Sequence, residues 1–157
     1  MKSALPVLLV AIAFAMAIAG VARGTRWRAF VLFAATSTAV AFVPLPAAWA
    51  EAAHLACWLT IVACGARVYV PIGLGSAGAF ALAVASGVAG GAVVGEPMIA
   101  VLAALFASMA SLAASAAARR LPVAPKVVSS WLIAVALLAA TLQMLPVTPG
   151  YLPDHLE

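Results

Sequence analysis

Charge is scarce in this chain of 157 residues: Lys and Arg number 8 and Asp and Glu 4, together 8 %, against 68 % hydrophobic residues. A soluble domain carries about 25 % charged residues to cover its outside. Water is therefore excluded as the main solvent. The acidic residues are Glu51, Glu96, Asp154 and Glu157, none of them inside a long apolar run. A charge at mid-membrane depth is costly and is kept where ions or protons are moved, so its absence argues against a proton-driven pump. The two cysteines, Cys57 and Cys64, are too few for a disulfide framework and are not spaced as C-x-x-C. Catalytic signatures are lacking too: no H-E-x-x-H, no G-x-S-x-G, no Gly-rich phosphate loop and no paired intramembrane carboxylates. The expectation is a non-enzymatic protein with no resident cofactor.

What is present is apolar sequence in lengths that suit a bilayer. Crossing roughly 30 Å of hydrocarbon takes about 20 residues of helix, and six stretches approach that length: 4–22, 29–49, 52–71, 74–95, 97–118 and 127–146. They are continuous runs without the alternation of lipid-facing strands. The expected fold is an all-α polytopic membrane helix bundle forming a single integral membrane domain of six transmembrane helices. Five are possible, because short breaks separate the third to fifth runs.

The basic residues orient the bundle. Arg23, Arg26 and Arg28 fall between the first two runs, Arg67 near the end of the third, and Arg119, Arg120 and Lys126 between the last two. With six spans all seven share one side, while Lys2 and the acidic residues fall on the other. The positive-inside rule then predicts both termini on the non-cytoplasmic side, and a bacterial cytoplasmic (inner) membrane is the expected location. A cleaved signal peptide at the start is disfavoured, since the three arginines behind the first run outweigh Lys2 in front. Trp27, Trp49, Trp131, Tyr69 and Tyr151 fall near predicted span ends, as aromatic belts do. Basic residues at helix ends, and not clustered on one folded face, also predict no nucleic-acid partner.

Small residues supply a packing signal. Gly87, Gly91 and Gly95 recur every four residues, and Ala103, Ala107 and Ser111 make a matching ridge in the next run. Such ridges let helix backbones approach closely in lipid, and the short link between the runs suggests that these two helices are partners. Hydroxyls also reach the span interiors: Thr36, Ser37, Thr38, Ser86, Ser108 and Thr141 are candidates for a polar lining, with back-bonding to their own helices as the structural alternative.

In "HLACWLTIVACGAR", His54, Cys57 and Cys64 share one helical face. The two thiols are about 10 Å apart along the axis at 1.5 Å per residue, too far for one metal ion or for a disulfide. Only His54 with Cys57, plus ligands from elsewhere, could form a metal site. Otherwise the cysteines pack as small apolar groups, His54 reaches one interface and Arg67 snorkels to the other. No metal is expected.

"AARRLPVAPKVV" and the later "LPVTPG" are similar to elements of the small membrane subunits of threonine/serine exporters, a basic helix end followed by a proline-glycine element. The spacing between the two elements is longer here and the helices expected after the second are absent, so no site residue carries over. The functional expectation is a small transport or permeation protein for a small solute, surrounded by lipid and acting as a homo-oligomer or with other membrane subunits. Its alternatives are an accessory or assembly subunit of a larger membrane complex, or a holin-like permeabilising protein.

Overall fold

The computed structural model describes residues 5–70, 73–94, 97–120 and 123–145, and no strand occurs among them. Six α-helices follow in order: α1 (Leu5–Ala17), α2 (Arg23–Ala41), α3 (Ala50–Arg67), α4 (Ser76–Val94), α5 (Pro97–Arg120) and α6 (Ala124–Met144). Gly95, like Lys2, Glu96, Tyr151, Asp154 and Glu157, lies outside the described residues, and so do the side chains of Ser108 and Ser111.

Three helical segments, Ala47–Arg67, Ser76–Val94 and Ala124–Met144, are long and apolar enough to cross a membrane. Large apolar side chains cover the outside, including Leu59, Val88, Leu105, Phe106, Leu138 and Leu142. A soluble protein rarely exposes so much contiguous apolar surface, so this is a membrane protein whose outer face meets acyl chains.

The helix ends have local causes. α2 begins inside the arginine cluster, where Arg26 donates to the Ala19 carbonyl at 3.1 Å. It stops at Ala41 because Pro44 and Pro46 lack the N–H groups that would continue the ladder. A single 3₁₀ turn, Ala47–Trp49, then leads into α3. α3 carries Glu51 in its first turn and Arg67 in its last, each the sign that complements the helix dipole. α6 starts with a proline in its first turn, a position where the missing N–H costs little.

α1 is the hub. It is apolar all round, as a helix without a solvent face must be, and Val7, Val10, Ala11, Ala13, Phe14 and Ala15 have no exposed surface. It packs against α3, α4, α5 and α6. Phe14 also stacks on Phe33 of α2 at a centroid distance of 4.9 Å and meets Phe30 edge-on at 5.6 Å.

The most extensive pairing in the bundle is α2 with α4. Phe33 and Thr36 abut Gly87, and Ser37 and Val40 abut Gly91. Positions rise together on both helices, so α2 and α4 run parallel, as alternate members of an up-and-down bundle do. α3 pairs with α6, where Gly65 faces Ile133 and the Ser129 carbonyl. One end of the bundle thus gathers the ends of α1 and α3 with the starts of α2 and α6. There Tyr69 donates to the Lys126 carbonyl at 2.5 Å and adjoins the Ser130 hydroxyl. Arg23, Arg26, Arg28, Arg67 and Lys126 all lie at this end, called here the arginine end.

Candidate functional site

Among the small residues singled out from the sequence, Gly87 and Gly91 are buried and turn toward α2. A Cβ on Gly87 would sit 2.8 Å from the Phe33 carbonyl oxygen, and one on Gly91 would sit 3.0 Å from Val40 Cβ and closer still to the Ser37 carbonyl. Only glycine permits that approach. Ala103 and Ala107 are fully buried on α5, but the main neighbours of α5 are α1 and α2, and its contact with α4 is slight. The α4–α5 partnership suggested by the short link is therefore not the one formed. A short connection fixes where two helix ends meet and leaves the facing surfaces to complementarity of shape.

The hydroxyls separate into two groups. Thr36 donates to the Leu32 carbonyl at 2.8 Å and Thr141 to the Leu138 carbonyl at 2.8 Å, and Thr141 is exposed on the outer face. Both satisfy themselves on their own helices. Thr38 is half-buried. Ser37 and Ser86, by contrast, are fully buried in the bundle. Ser86 and Cys64 share a hydrogen bond at 3.6 Å, whereas Ser37 Oγ has no partner. The Trp58 indole nitrogen and Ser129 Oγ are likewise buried without one. Each such group costs about 1–3 kcal/mol if it stays dry.

Ser37 of α2 faces α4 near Gly90, and Ser86 of α4 faces Cys64 of α3, so α4 stands between these two buried polar positions. Ser37 Oγ stands 3.8 Å from where a Gly90 Cβ would lie, Ser86 is one turn along α4 from Gly90, and Cys64 of α3 follows at the hydrogen-bond distance already given. Cys64 is one turn from Arg67 at the arginine end. At the opposite end lies a cavity of about 390 Å³ lined by Ala41, Phe42, Val43, Pro44, Leu45, Ala50, His54 and Gly91–Val93. Ala41 is one turn beyond Ser37, and Gly91 touches the Ser37 carbonyl.

His54 is placed in this cavity by the first turn of α3. Its Nδ1 lies 2.8 Å from the Ala50 carbonyl oxygen. A carbonyl only accepts, so Nδ1 carries a proton, and in the neutral ring Nε2 presents the lone pair. Cys57, three residues on, is buried against α1, its thiol 3.8 Å from the Pro6 carbonyl. His54 and Cys57 thus serve different surroundings, and the described residues hold no group of three or more His, Cys, Asp or Glu side chains suited to a metal ion.

The cavity was not anticipated from the sequence. Its signal was the Pro44 and Pro46 pair, which ends α2 early and folds a non-helical segment over the ends of α2 and α4 beside a histidine. A second, larger groove of about 580 Å³ lies on the outer face between α3 and α4. Ala52, Ala56, Thr60, Ala85, Ala89 and Trp49 are among the residues that line it. Comparison with known protein families, curated proteins and solved structures finds no match.

Proposed function

We propose that this protein is a small permeation or transport protein, without enzymatic activity, that passes a small polar solute between α2, α3 and α4. The observation that carries this is the His54 cavity one helical turn from the buried, unpartnered Ser37 hydroxyl, with Ser86 and Cys64 buried further toward the arginine end. An unpartnered hydroxyl such as that of Ser37 is expensive in hydrocarbon, and a solute or water that visits it offsets the cost. Six crossings with both termini outside the cytoplasm fit the arrangement. The arginine end then faces the cytoplasm of a bacterial inner membrane and the His54 cavity faces outward. Exposed Trp27, Trp49 and Trp131 sit toward the bundle's ends, where headgroups lie.

The test is solute entry into proteoliposomes that hold the purified chain alone. Saturable uptake of small polar solutes above the rate of empty liposomes is the expected result, and uptake equal to empty liposomes overturns it. The apolar groove between α3 and α4 favours a second reading, an accessory subunit that seats a helix of another membrane protein or of a second copy. Uptake at the control rate together with a stoichiometric membrane partner in a native pull-down would select it.

A further inference from the structure

The His54 cavity presents acceptors almost exclusively. The Phe42 and Val43 N–H groups both bond the Val40 carbonyl, the latter at 3.0 Å. Pro44 has no N–H. The Ala50 N–H is held by the Ala47 carbonyl. The N–H groups of Ala41, His54 and Gly91–Val93 belong to helix ladders, and His54 spends its ring N–H on the Ala50 carbonyl. Leu45 also lines the cavity and brings one N–H donor; the other groups left to meet a ligand are acceptors, namely carbonyls of the 41–44 segment, the last-turn carbonyls of α4 and, in the neutral ring, His54 Nε2. No Lys or Arg lines the cavity. Because α2 and α4 are parallel, both bring their negative dipole ends to this place, against the single positive end of α3, whose Ala50 and His54 also line it. Phe42 adds an aromatic ring to the lining, and the face of such a ring attracts cations.

We infer that the cavity bounded by the ends of α2 and α4 and by His54 binds a small monovalent cation bearing N–H donors, of the ammonium or methylammonium class. An anion would meet more acceptors than donors, and two negative poles against one positive. A neutral solute would leave the dipole field unused. The inference names the solute class for the permeation reading above, but binding and passage are measured separately.

The full chain is placed in nanodiscs and titrated with methylammonium chloride, with binding followed by calorimetry and by the nitrogen resonances of labelled histidine, His155 serving as the internal control. Saturable binding that shifts His54 Nε2 and spares His155 is expected, with no response to sodium acetate at equal ionic strength. His54→Ala, checked for an unchanged size-exclusion profile, weakens binding by about ten-fold, the loss of one hydrogen bond to a charged donor. His54→Gln, which keeps an acceptor, retains most of it. Equal binding by wild type and His54→Ala, or an equal response to potassium or acetate, overturns the inference. Binding without uptake in proteoliposomes sinks the permeation reading and leaves the site. Uptake of neutral solutes without methylammonium binding does the reverse.

Discussion

Adjacent glycines on α4 have opposite duties. A methyl at Gly91 would collide with the Ser37 carbonyl and Val40, whereas a methyl at Gly90 would find its nearest neighbours, Ser37 Oγ and Val7 Cγ1, at an ordinary 3.8 Å. Gly91→Ala is therefore expected to cost about 1–3 kcal/mol through overpacking. Gly90→Ala is neutral or gains up to about 1 kcal/mol from helix propensity. Reversible unfolding in mixed micelles compares the two, and equal losses would contradict the α2–α4 packing. Phe14 offers a second contrast. Its ring is fully buried between α1 and α2, while Leu138 is 62 % exposed to the surroundings of the bundle. Phe14→Ala should cost about 3 kcal/mol, the low end for such truncations, because in lipid only packing is lost. Leu138→Ala should leave thermal stability in detergent unchanged. The four-residue spacing of glycines can be read directly from the chain, but which of them touches a neighbour cannot, since Gly90 and Gly91 look alike until the rotation of α4 is known.

At the level of helices, apolar length and proline placement reveal most of what forms. The runs rich in Ala, Val and Leu become helices, and Pro44 and Pro46 break the chain between α2 and α3. Pairing is less readable. The tether between α4 and α5 pointed to the wrong neighbour, because the contact that matters joins Gly87 and Gly91 to a face of α2 some fifty residues earlier. The hidden partner is also why the His54 cavity went unseen: it exists only once α2 and α4 end side by side. α3 and α6 are pinned at the arginine end by the Tyr69 hydroxyl, which reaches the Lys126 carbonyl and Ser130. Tyr69→Phe removes these bonds and should cost about 1 kcal/mol, a fall in melting temperature of roughly 2–4 °C. No change in a thermal melt would mean that solvent satisfies the same groups equally well.

For the whole molecule, the distribution of arginines makes a map that can be checked without knowing the solute. Gly24 and Gly73 stand in open space, with nothing within 4 Å of an added Cβ, and both lie at the arginine end. Pro46 is exposed at the other end. The native Cys57 and Cys64 are buried and should give little background. On intact cells, Pro46→Cys is expected to react with an impermeant maleimide, and Gly24→Cys and Gly73→Cys only after the membrane is opened. Labelling of Gly24→Cys before opening would invert the bundle, and with it the outward direction proposed for the His54 cavity.

The enclosure of α1 bears on how the bundle is born. This helix leaves the ribosome before any of the five that later surround it, so during synthesis its uniformly greasy surface has only phospholipid for company. Each later arrival strips lipid from it, until the stacked Phe14 and Phe33 rings and the arrival of α3, α4, α5 and α6 complete the sheath. A photoreactive side chain at position 10 should thus crosslink to lipid in nascent chains stalled after α2, and to protein alone once translation has passed α6.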